Sequence, residues 1–184
     1  MRVHPTTLAA LTLWLGCSSL FTIRIRDEST STVPAGTVVD SLIGDIGFDE
    51  FTAIDLTQSS ELQNQGVAPG DISEVFLEEL ELEATAPDGA DLSFIQSVAI
   101  YVEGPDLPRV LLASQDEFPD GQAAVQMDIE GVDLVEYAVS ESMSFDVEMS
   151  GNRPEDATDV TARYTLAVGV TGQGACNAAS SDGS

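Results

Sequence analysis

The sequence predicts a mainly β fold: two antiparallel sheets packed face to face as a sandwich, with a few short helices in the connections. Three observations predict it. Apolar and polar residues alternate with period two along much of the chain. Turn-forming clusters such as Pro87-Asp88-Gly89 and Gly104-Pro105-Asp106 separate the alternating runs. Hydrophobic residues make up 43% of the chain, enough to build a core despite a formal net charge of −26.

The elements follow in order. Phe21, Ile23 and Ile25 alternate with Thr22, Arg24 and Arg26, the pattern of a half-buried strand. Its two arginines share one face, where they pair across strands, meet solvent, or touch a lipid head group. Residues 30–36 read as a turn around Pro34-Ala35-Gly36. Val38, Val39, Leu42, Ile43 and Ile46 have helical spacing and predict a short amphipathic helix over 37–46. Phe48, Phe51, Ile54 and Leu56 add apolar material, and the polar stretch 57–70 reads as a helical turn and loop ending at Pro69-Gly70.

From Ile72 the chain turns to strands. Leu80, Leu82 and Ala84 alternate with Glu79, Glu81 and Glu83, a glutamate row that reads as a solvated outer face. Residues 91–96 read as one helical turn capped by Asp91. Val98, Ile100 and Val102 face inward on a strand whose hairpin partner is 109–114. Val125, Met127 and Ile129 line the inside of the next strand, and 133–139 is a short helical connection. Met143, Phe145, Val147 and Met149 form another inward row. The longest alternation closes the domain, with Val160, Ala162, Tyr164, Leu166, Val168 and Val170 against Thr161, Arg163 and Thr165. About seven strands result, a sandwich of immunoglobulin-like or fibronectin-like general architecture.

Ahead of this domain stands a different kind of segment. Arg2 is followed by an apolar run over 8–15, then Gly16 and Cys17. A charged start, a short apolar stretch and a small residue form an export signal. The run is far shorter than the roughly 20 residues that span a bilayer as a helix. The chain therefore divides into a signal peptide over 1–16, a single sandwich domain over 17–172 and a small polar tail over 173–184. The segment Leu15-Gly16-Cys17 resembles the signal of bacterial lipoproteins. That resemblance implies cleavage before Cys17, acylation of its sulfur and new amino group, and, with Ser18 following, sorting to the outer membrane. A strand beginning four residues later would then hold the domain close to the membrane.

Charge and composition exclude several functions. There are 32 acidic residues and six basic ones, all of the latter arginine. Such a surface repels a phosphate backbone, which excludes nucleic-acid binding. It favours cationic partners, and it is a composition that a saline habitat also produces. The one histidine, His4, lies in the signal, so the mature domain has none for a Ser-His-Asp triad, a Cys-His pair or a histidine zinc site. With no lysine there is no Schiff-base chemistry, and the scattered glycines form no phosphate loop.

Carboxylates remain. They would serve a two-carboxylate hydrolase, though aromatic sugar platforms are scarce. They would also ligate calcium, through Asp88 with Asp91, Asp116 with Glu117 and Asp120, or Glu155 with Asp156 and Asp159. The two cysteines, Cys17 and Cys176, offer an alternative to lipidation, because in an oxidising compartment they could form a disulfide. The sequence thus supports a non-catalytic envelope lipoprotein with a structural or interaction role toward a protein or glycan partner. The alternatives are an exported binding domain closed by Cys17 and Cys176, with calcium as a possible ligand, and a carboxylate-based hydrolase.

Overall fold

The computed structural model describes residues 21–36, 59–140 and 143–172, together with the backbone of 41–43. Among the described residues nine strands form two sheets, and every pairing between them is antiparallel. They are β1 (Phe21–Val33), β2 (Ser41–Ile43), β3 (Ile72–Ala86), β4 (Ile95–Gly104), β5 (Leu107–Gln115), β6 (Ala124–Gln126), β7 (Asp128–Ile129), β8 (Ser144–Asn152) and β9 (Thr158–Val170). One sheet runs β1-β9-β3-β6 and the other β2-β8-β4-β5-β7. Two short helices, α1 (Ser60–Asn64) and α2 (Val135–Ala138), and a 3-10 turn at Pro69–Asp71 occupy connections. The two-sheet antiparallel sandwich is the predicted one, but it holds nine strands among the described residues rather than about seven, because Ser41–Ile43 adds a strand and 125–129 divides between the sheets.

The core lies between the sheets. Alternation places Val75, Leu80 and Leu82 of β3, Val98, Ile100 and Val102 of β4, and Val160, Leu166 and Val168 of β9 inside it, nearly or fully buried. The phase of β3 changes midway. A bulge between Leu77 and Glu79 turns Glu78 and Glu79 both outward, so Leu77 and Leu80 both face the core. β9 is flanked by β1 and β3 along its length, and most of its residues are buried on both faces.

Four local expectations are corrected. The turn predicted over 30–36 is a strand as far as Val33, because β1 stays paired with β9 to the end, Val33 opposite Thr158, and residues 34–36 have no regular structure. β-branched Thr30, Thr32 and Val33 suit a strand, and only Pro34 breaks it. The helix predicted over 37–46 is replaced at Ser41–Ile43 by strand β2, held against Ser150, Gly151 and Asn152, and the rest of that prediction lies outside the described residues. So do Phe48, Phe51, Ile54 and Leu56. Asp91 opens a single hydrogen-bonded turn rather than a helix: the Ile95 N–H bonds the Leu92 carbonyl at 3.0 Å, and Asp91 Oδ1 accepts from the Ser93 backbone N–H at 3.0 Å and from Ser93 Oγ at 2.6 Å. Finally, 125–129 is not one strand. β6 pairs with β3 and β7 with β5, so the chain crosses from one sheet to the other at buried Met127, whose N–H still bonds the Leu80 carbonyl at 2.9 Å.

The two ends of the sandwich differ. At one end Phe21 and Ile72 both pair with Val170, and the Thr171 N–H bonds the Asp71 carbonyl at 2.8 Å. Connections 87–94, 116–123 and 153–157 gather at the opposite end.

Candidate functional site

That opposite end carries the sequence-predicted acids. An open cleft of about 490 Å³ lies between loops 87–94 and 152–158, and Asp88, Asp91, Glu155 and Asp156 line it together with Arg153. The Gly36 N–H bonds the Pro154 carbonyl at 3.0 Å, which brings the segment after β1 against the same loop. Loop 116–123 adjoins through Asp91, whose Oδ2 accepts from the Gly121 N–H at 2.8 Å. Bonds from Ser93 and Gly121 hold the Asp91 carboxyl below its ordinary range.

The fold therefore unites acids that the sequence leaves in separate loops. Asp116 and Asp120 sit in the adjoining loop rather than lining the cleft. Asp159 stands apart as well, accepting from Thr32 Oγ1 at 2.6 Å within the β1–β9 ladder. Among the described residues no three His, Cys, Asp or Glu side chains are grouped as metal ligands. Cys17 and Cys176 lie outside the described residues.

Two arginine-centred clusters escaped the sequence reading. On the outer face of the first sheet, Arg163 of β9 reaches both neighbouring strands. Its Nε donates to Glu28 Oε2 at 3.1 Å, its Nη1 donates to Glu83, and Glu81 stands 3.8 Å away. These bonds, chiefly from Glu83 and then Glu28, raise its pKa. The glutamate row of β3 is thus engaged rather than simply solvated, since Glu79 also accepts from Thr165 at 3.1 Å and Glu81 from Gln126 at 2.6 Å. A groove of about 630 Å³ runs beside these residues and reaches Arg26, Asp27 and Tyr164. Burial, and then the nearby Asp27 carboxylate, push the Tyr164 hydroxyl pKa up.

Arg24 lies on the same outer face and pairs with Glu78, at 2.6 and 3.0 Å. It reaches that partner across Ala167, whose small side chain leaves the way open, and the bulge aims Glu78 outward to meet it.

The second cluster lies on the other sheet. Arg109 stacks over the Tyr101 ring, 3.3 Å from its centroid, and donates to Asp146 at 2.5 and 3.0 Å and to Glu148 at 2.5 Å. Glu103 is 3.2 Å from its Nε. The signal that could have found both clusters was an arginine in the polar row of a strand, with acids at even spacing in the polar rows of other strands, as at Glu79, Glu81 and Glu83 or Asp146 and Glu148. Glu28 and Glu83 pair with Arg163, and Asp146 and Glu148 with Arg109.

No protein-family model and no curated protein matches the chain. Among solved structures it is similar to the BFDV capsid protein in a decameric form, with TM-score 0.37 and 12% identity over 80% of this chain and 96% of that one. The 60-mer of the BFDV capsid protein gives TM-score 0.38 and 10% identity over 85% and 96%. Desmodium yellow mottle tymovirus gives TM-score 0.28 and 9% identity over 93% and 94%. These scores are too low to bear on function.

Proposed function

We propose that the protein is a non-catalytic lipoprotein of the bacterial cell envelope, exported and held to the outer membrane through acylated Cys17, with a structural or interaction role. One observation carries the reading. The first strand starts at the end of the sandwich opposite the acidic loops, and Cys17 lies only four residues before Phe21. An anchor there turns the Asp88, Asp91, Glu155 and Asp156 cleft away from the membrane, toward a cationic protein or glycan partner. Several acyl chains give durable attachment, at ~0.8 kcal/mol per buried methylene.

The test is the intact mass and fractionation of the mature protein. Lipid mass on Cys17, membrane recovery, and release of a Cys17→Ser variant are the expected results. A mature chain without lipid overturns the reading.

The exported, disulfide-closed alternative has its own support. Phe21 and Val170 are direct partners, and in sequence they stand four residues after Cys17 and six before Cys176. In that case the same mass measurement shows no lipid and the loss of the thiol hydrogens.

A further inference from the structure

β1 is the edge strand of its sheet. β9 pairs one side of it over all 13 residues, and among the described residues no strand pairs the other side. Arg26, Asp27 and Glu28 are three consecutive exposed residues, so solvent reaches both faces of the strand at that point. Asp27 belongs to the inner row of Ile23 and Ile25, opposite Tyr164, where the alternation calls for an aliphatic side chain. Its Oδ1 instead accepts the backbone N–H of Glu28 at 2.9 Å.

That bond reveals which way the backbone points. In an antiparallel ladder, the N–H and C=O of one residue point to the same side, and alternate residues point to opposite sides. The Glu28 N–H meets Asp27 rather than β9, so Arg24, Arg26, Glu28 and Thr30 turn their backbone groups toward the open edge. Such a row is a template for another strand.

Charge selects the strand that fits. With a net charge of −26 the chain repels its own copies over most of its surface, but β1 holds two of its six arginines. Antiparallel pairing of two β1 strands about a twofold axis at Asp27 sets Arg26 of each copy opposite Glu28 of the other. Those are also the positions whose backbone groups face outward. The same register sets Asp27 against Asp27 of the second copy, at a non-hydrogen-bonded position where Cα atoms approach to about 4.5 Å. It also needs the Glu28 N–H that Asp27 occupies. We propose that β1 carries a latent twofold self-pairing edge, and that Asp27 keeps it closed by charge and by capping the Glu28 N–H.

The test compares the oligomeric state of the wild-type chain and Asp27→Val at equal concentration, by light scattering after size exclusion. Wild type is expected to be monomeric and Asp27→Val dimeric. Adding Arg26→Pro should restore the monomer, because the Arg26 N–H faces the open edge and its loss leaves the β9 ladder intact. A natively folded but monomeric Asp27→Val, a dimer that survives Arg26→Pro, or a dimeric wild type overturns the proposal. If Asp27→Val does not fold, Asp27→Thr runs the same comparison without the charge. Failure of both to fold also overturns it, since Asp27 would then serve the fold rather than the edge.

Discussion

Asp91 accepts the backbone N–H of Gly121 at 2.8 Å, so one carboxylate clasps two loops 30 residues apart. Its other oxygen holds Ser93, and together these bonds lower its pKa. A group with a depressed folded pKa adds stability above its unfolded value and loses it as pH falls through the folded one. Asp91→Ala should therefore cost about 0.5–1 kcal/mol at neutral pH, a small figure because the site is open to solvent. The gap to wild type should hold steady above about pH 5 and close as pH falls below about 4. Denaturant melts across that range are the check, and a gap that widens in acid would contradict the assignment.

Arg163 is the positive centre of the first sheet's outer face, between Glu28, Glu81 and Glu83. Its removal leaves Glu28 on β1 and Glu81 and Glu83 on β3 as like charges flanking β9 on one face, with no cation between them, a repulsive arrangement. Arg163→Gln should lower the melting temperature at low salt. At 1 M salt, where the screening length is about 3 Å, most of the difference should vanish. A loss independent of salt would mean that Arg163 acts through the packing of its stem instead.

The sandwich was legible because a period-two pattern records which side chains face inward, as along Val98, Ile100 and Val102 or Val160 through Val170. It does not record which sheet a strand joins. Val125 and Met127 face one shared interior, so the crossing between sheets at Met127 leaves no trace in the alternation. Leu42 and Ile43 fit a helical face as well as a strand, and only the pairing with β8 decides between them. For the candidate site, turn composition found Asp88, Asp91, Glu155 and Asp156 separately. Their meeting depends on antiparallel connections that bring distant loops to one end. In the sequence Arg163 is one member of a polar row, and its partners come from β1 and β3, far away along the chain.

Gly151 pairs with Ile95 where β8 meets β4, and there the backbones approach closely. A Cβ at position 151 would collide with the Phe94 carbonyl oxygen and stand 3.0 Å from Ile95 Cα. Both are backbone atoms and cannot rotate away. Gly151→Ala should thus destabilise the fold by about 2–4 kcal/mol, in the range of other substitutions that force backbone shifts. Gly89→Ala is the contrast: nothing lies within 4 Å of its Cβ, and its cost comes only from φ +81. Equilibrium unfolding of the two variants should rank Gly151→Ala as the less stable.

The bulge at Glu78 is what lets β3 bury both of its halves. Val75 and Leu77 face the core before it, and Leu80, Leu82 and Ala84 after it. Deleting Glu78 removes the extra residue and leaves Glu79 directly after Leu77, which is the order of their partners Leu166 and Thr165 on β9. Val75, Leu77, Leu80, Leu82 and Ala84 then form one unbroken period-two row, so every inward side chain keeps its face. Substituting Glu78→Ala keeps the bulge and loses only the Arg24 pair at the surface. Both variants should therefore be soluble and cooperatively folded, with near-native circular dichroism. An insoluble or unfolded deletion variant would show that β3 needs the kink of the bulge itself, and not only its phase, to pass β9.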